Sequence, residues 1–246
     1  MARRAPAGFF LITRPCNSPP GPKNARMEYN IVQIIAIYAI PVVFAITLHE
    51  AAHGYVARHF GDLTAWRLGR VSLNPLRHVD LMGTIIVPLA ILIASKMFGG
   101  AGMLFGWAKP VPVNFHALRH PKRDMLWVAL AGPASNLVMA LFWAALLKMS
   151  LVLPHNYFTL PLGLISEAGI GVNAVLMVLN LLPILPLDGG RIAFSLLPDR
   201  LAMIYARSEP LGFPILLLLI FTNMLGMILN PMVRASIDLI ETLLQL

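Results

Sequence analysis

The stretch AITLHEAAHGYVARHFGD (residues 45–62) puts two histidines and a glutamate at the end of a long apolar run. Charged and metal-binding side chains are costly at membrane depth, so their presence there needs a cause. His49, Glu50 and His53 form H-E-x-x-H. On a helix, residues four apart share a face, so both imidazoles can reach one cation. Glu50 sits beside them and can touch a water on that cation. Two histidines with a carboxylate form a usual zinc set. The metal lowers the pKa of its water, and the glutamate takes the proton to make the nucleophile. Snorkelling of polar side chains at the interface accounts for Arg58 and His59 better than for His49 and Glu50.

The rest of the chain fits a membrane setting. Hydrophobic residues make up 58% and charged residues 12% of 246, whereas soluble domains carry about 25% charged residues. The net charge of +8 falls in short loops between apolar runs. That pattern fits cytoplasmic loops and argues against nucleic-acid binding. Cys16 is the only cysteine, which excludes an internal disulfide and a thiolate metal cluster. Residues 1–26 are rich in Pro and Arg and read as a disordered leader. Residues 27–246 read as a single domain, and either Met27 is its natural start or the leader is dispensable.

Apolar runs occupy residues 31–48, 82–98, 125–149, 163–187 and 210–229, and the first continues as helix through His53. Each is close to the length that crosses a bilayer. The tail, 231–246, is amphipathic and can cross or lie on the surface. The expected fold is an all-α polytopic membrane protein with about four to six transmembrane helices. Its catalytic core is three helices, and residues 82–107 supply a re-entrant or short extended segment.

A zinc site needs a third protein ligand and an open position. NLLPILPLDGGRI (180–192) offers Asp188 at the end of a run almost free of charge. Read alone, Asp188 serves equally as a ligand, a cap of the turn at Gly189 and Gly190, or a partner for Arg191. With H-E-x-x-H in the same chain, ligation is the reading taken. Asn136, in the small-residue stretch AGPASN, has two readings as well: a catalytic one and an interhelical hydrogen bond. Asn173 and Asn180 read as structural. His59, His78, His116, His120 and His155 read as loop or interfacial residues.

These motifs together resemble the site-2 protease family of intramembrane zinc metalloproteases. The likeness rests on LHEAAHGYVARHFGD, GRVSLNPLRHVD, GWAKPVPVN, ALAGPASNLVMA and NLLPILPLDGGRI. It is nearest the small prokaryotic members without a PDZ domain. The resemblance implies one Zn2+ per chain held by His49, His53 and Asp188, with Glu50 as the catalytic base. Asn136 falls on the family's asparagine that helps hold substrate or the reacting carbonyl. The implied substrates are membrane-embedded or membrane-proximal segments of membrane proteins or peptides. The implied location is the prokaryotic cytoplasmic membrane.

The metal also constrains topology. His49 and Asp188 each follow an apolar segment and must meet at one depth, so the first and fourth runs must point the same way. The run at 82–98 then has to dip and return, or cross and come back through 103–107. The loops at 54–80 and 108–124 are basic, while 150–166 holds no Lys or Arg. The site therefore belongs toward the cytoplasmic side. The paired prolines of GWAKPVPVN predict an extended segment, which reads equally as a clamp for a substrate strand or as a plain loop. Rival readings are a zinc-binding transporter or scaffold, and a zinc hydrolase acting on lipid. No internal repeat of the transporter kind is present. Deleting residues 1–26 is expected to leave peptide cleavage intact, as an activity assay of the shortened chain would show.

Overall fold

In a computed structural model, the described residues are 30–75, 110–154 and 156–246. The chain divides into two compact units, Met1–Ile34 with Asp80–Ala108, and Ile35–Val79 with Lys109–Leu246. Of the first unit only the beginning of one helix is described. The expectations for the leader, for the segment 82–107, and for His78 and His155 fall outside the described residues.

The described residues are helical, with α1 (Ile31–His59), α2 (Thr64–Arg67), α3 (Pro121–Val152), α4 (Thr159–Asn180), α5 (Asp188–Leu196), α6 (Asp199–Ala206), α7 (Glu209–Phe221) and α8 (Met224–Leu244). A 3-10 turn at Phe115–Ala117 precedes α3. α1, α3 and α4 are each long and apolar enough to cross a membrane, and the bent pair α6–α7 makes a fourth candidate. This is an all-α polytopic membrane protein.

Close approaches set the helix directions. His53 Nδ1 meets the Val128 carbonyl and His49 Nδ1 meets Asn136, so α1 and α3 run antiparallel. Asn136 bonds Asn173, and Trp143 packs on Gly169, so α3 and α4 are antiparallel too. α1 and α4 therefore point the same way, as a shared metal requires. Leu225, Leu229 and Val233 of α8 pack with Ala174, Val178 and Leu182. Further along, Ile240 joins Ala140, Trp143, Ala144, Leu147 and Ile170. α8 thus runs back along α4, and Lys148 of α3 donates to its last-turn carbonyl at Leu244, at 2.7 Å.

Several boundaries differ from those read in the sequence. α1 continues to His59 rather than giving way to loop at Gly54; Arg58 and His59 in its last turn suit the negative end of the helix dipole. The run 163–187 is not one helix: α4 starts at Thr159 and ends at Asn180, and Asp188 opens α5 instead of closing its predecessor. Gly189 and Gly190 allow that fold-back, since a Cβ on either would collide with backbone of residues 181–185. The run 210–229 is broken by Asn223, which adopts a left-handed conformation (φ 58°) between α7 and α8. The amphipathic tail is the second part of α8.

The connections beside α1 are braced by Asp62, 1% exposed. Its carboxylate accepts the Thr64 amide at 2.9 Å and the Asn114 amide at 2.7 Å. Arg119 N–H donates to the Phe60 carbonyl nearby. Replacing Asp62 by alanine strands two backbone donors, and each such loss costs about 1–3 kcal/mol. Asp62→Ala is expected to lower the thermal unfolding midpoint in detergent clearly, and Asp62→Asn, which keeps one acceptor, to lower it less.

Candidate metal centre

α1 carries His49 and His53 one turn apart on the face that meets α3. Both are buried among apolar helices. Gly132 makes the approach possible: a Cβ there would lie 2.5 Å from His49 Cε1 and from His53 Nε2. Asp188 reaches the same spot from the first turn of α5. Its Oδ2 lies 3.2 Å from each imidazole Nε2, and the two Nε2 atoms are 3.1 Å apart. All three residues are buried, and their candidate ligand atoms lie within 4.8 Å of one another.

The hydrogen bonds fix what these atoms can be. His53 Nδ1 is 2.7 Å from the Val128 carbonyl, which can only accept, so that nitrogen carries the proton. His49 Nδ1 is 2.6 Å from Asn136 Oδ1. The Asn136 amide nitrogen is turned the other way, toward Asn173 Oδ1 at 3.0 Å and the Ala45 carbonyl at 3.4 Å. Nδ1 of His49 therefore donates as well. In neutral rings, the form that binds a metal, both Nε2 atoms are then bare lone pairs facing each other and a carboxylate oxygen. Asp188 Oδ2 has no hydrogen-bond partner among the described residues.

Three buried acceptors with no proton between them repel, and a cation turns that repulsion into binding. The dimensions fit zinc. Bonds of about 2.0–2.1 Å in a tetrahedron give ligand–ligand edges of about 3.3 Å, against 3.1, 3.2 and 3.2 Å here. Three protein ligands leave a fourth position for water or substrate.

Glu50 is half-buried next to the triangle, and its Oε2 accepts the Val111 amide at 2.8 Å. Val111 belongs to the stretch 110–114, which forms neither helix nor turn. The part of the expected extended segment that is described therefore lies against the site. Val111 also packs with Ala65 and Val71, while Pro110 and Pro112 face outward.

The structure gathers His49, His53, Asp188 and Glu50 at one place. Asn136 is there too, fully buried, with its amide bonded to His49, Asn173 and Ala45. Asn173 extends that support to α4, donating to the Gly169 carbonyl at 2.8 Å. Asn180 bonds only its own helix, at the Leu176 carbonyl. His59, His116 and His120 are exposed and away from the triangle. The Val128 carbonyl and the Val111 amide are backbone groups, which no sequence motif marks. Gly132 stands in the small-residue stretch, though its contact with both imidazoles is not readable there.

No family model matches the chain, and no solved structure matches it. Among curated proteins it is 37% identical over 220 residues to "Putative zinc metalloprotease YwhC" of Bacillus subtilis (strain 168), which covers 87% of this chain and 93% of that one. It is 30% identical over 185 residues to "Putative zinc metalloprotease Rip2" of Mycolicibacterium smegmatis, covering 75% and 66% respectively.

Partners of a ligating histidine set its tautomer and orientation, and their loss typically costs 10–100-fold in metal affinity. Asn136→Ala is expected to weaken zinc binding by about that factor, measured by competition with a chromogenic chelator.

Proposed function

The chain belongs to the family of zinc metalloproteases that includes YwhC, and from that premise we propose that it is an intramembrane endopeptidase of the site-2 protease type. It is a helical membrane protein and a zinc enzyme. The observation that carries the proposal is the buried triangle of His49, His53 and Asp188 with Glu50 beside it.

In this reading His49 and His53, on α1, and Asp188, on α5, hold one zinc ion. Bound there, zinc would supply Lewis-acid chemistry, making a water more acidic and a carbonyl more electrophilic. Glu50 accepts the proton of the attacking water and later delivers it to the leaving amine. The Val111 amide holds one carboxylate oxygen of Glu50 and so fixes the direction of the other. Asn136 positions His49 through its Nδ1 proton. The segment 110–114, with exposed Pro110 and Pro112, is the candidate edge along which an unwound substrate strand lies.

The substrates are membrane-embedded or membrane-proximal stretches of membrane proteins or peptides. A scissile bond inside a helix must first unwind to be attacked. The active site faces the cytoplasmic side of the cell membrane, a reading that the basic loops support.

The test compares variants in a membrane-peptide cleavage assay alongside zinc analysis. Glu50→Gln is expected to keep one zinc per chain while cleavage falls by a factor of about 10²–10⁴. Asp188→Ala is expected to lose both zinc and cleavage. Undiminished cleavage by Glu50→Gln would exclude the proposed role of that residue.

A further inference from the structure

α8 is a 21-residue helix with two unlike faces. One face, with Leu225, Leu229, Val233 and Ile240, is buried on α3 and α4. The opposite face carries Asn230, Arg234 and Asp238 at helical spacing, and all three are exposed. α3 and α4 are candidate membrane spans, and α8 runs beside α4 from Leu182 to the level of Ile170. α8 itself, with three charged residues, is not a candidate span, but its packing along α4 sets the polar ridge at the depth of that span, pointing away from its own bundle.

That position is expensive. Arg234 is midway along α8, about 15 Å from either end at 1.5 Å per residue. The hydrocarbon layer is about 30 Å thick, so the guanidinium cannot snorkel to either interface. Among the described residues neither Arg234 nor Asp238 has an ionic partner. Charges inside a membrane face a bundle interior, a water-filled cavity or one another. A lipid-facing Arg and Asp on one stripe are the arrangement a membrane protein avoids unless something covers them.

We propose that the Asn230–Arg234–Asp238 ridge of α8 is a homodimer interface, covered by the same ridge of a second copy of this chain. Charge selects that occupant. Away from the helix end, where half-buried Glu241 continues the stripe in the last turn, it holds one cation, Arg234, and one anion, Asp238, a turn apart, so this part is complementary to itself. Two copies inserted in the same direction are related by a twofold axis along the membrane normal, which brings their α8 helices together in parallel. Each Arg234 then reaches about 6 Å along the axis to Asp238 of the partner subunit, and symmetry makes the contact twice. Asn230 adds a polar group able to bond its own copy across the axis. The buried charges become paired and dehydrated together, which leaves neither exposed to lipid.

The experiment uses full-length protein labelled at Cys16, its only cysteine, with donor and acceptor dyes on separate batches. Energy transfer is recorded in liposomes over a range of protein-to-lipid ratios, with zinc content measured in parallel. Wild type is expected to show saturable transfer well above random proximity. R234D and D238R each place like charges across the axis and are expected to weaken association roughly tenfold or more. The exchange variant R234D/D238R restores opposite charges and is expected to recover the wild-type curve, an outcome that a folding defect cannot produce. Transfer at the random level in wild type overturns the proposal. So does transfer unaffected by the single reversals, or failure of the exchange variant to recover.

Discussion

Two imidazole nitrogens and a carboxylate oxygen meet within 3.2 Å of one another inside an apolar bundle. Most of the local structure follows from keeping them there. The Nδ1 protons are drawn away by the Val128 carbonyl and Asn136, which leaves Nε2 of both rings pointing inward. Gly132 removes the side chain that would otherwise separate α3 from the rings. Asn173 holds Asn136, which ties the third helix of the core to the first. A divalent cation satisfies all three acceptors at once, so folding of the core and metal binding are linked equilibria.

The same constraint orders the helices. The His49–His53 turn of α1 and Asp188 beyond the end of α4 must meet at one depth, and α3 lies antiparallel between α1 and α4 to bring the chain back. Asp188 is delivered by a short fold-back after α4, and the tightness of that turn explains why glycines occupy positions 189 and 190. On the other side of α1, Asp62 fastens the stretch that carries Val111, and Val111 in turn contacts Glu50. Glu50 is thus held from the 110–114 side of α1, and the two histidines from the α3 side. α8 closes the far flank of α4 and keeps its charged stripe outward.

Much of the site was legible because it depends on local spacing. H-E-x-x-H needs only the helical period, and a lone carboxylate after an apolar run stands out wherever it falls in space. The parity of the helices also followed, since metal geometry restricts direction without coordinates. Boundaries inside apolar runs were not legible. Residues 163–187 are nearly uniform in polarity, so the turn after Asn180 leaves little trace beyond Pro183 and Pro186, and Asp188 read as an end rather than a beginning. Asn223 hides in the same way between α7 and α8. The role of Asn136 depended on which long-range partner its amide met, and sequence separation of 87 residues from His49 carries no periodic signal. Asp62 was invisible for that reason too, since its partners are backbone amides.

The central claim is that His49, His53 and Asp188 bind one ion together. The most direct measurement is anomalous diffraction from crystals of the metal-loaded protein at the zinc absorption edge. The account predicts one peak about 2.0–2.2 Å from both Nε2 atoms and from an Asp188 oxygen. A peak bound elsewhere, with this triangle empty in protein that cleaves peptide, would contradict it.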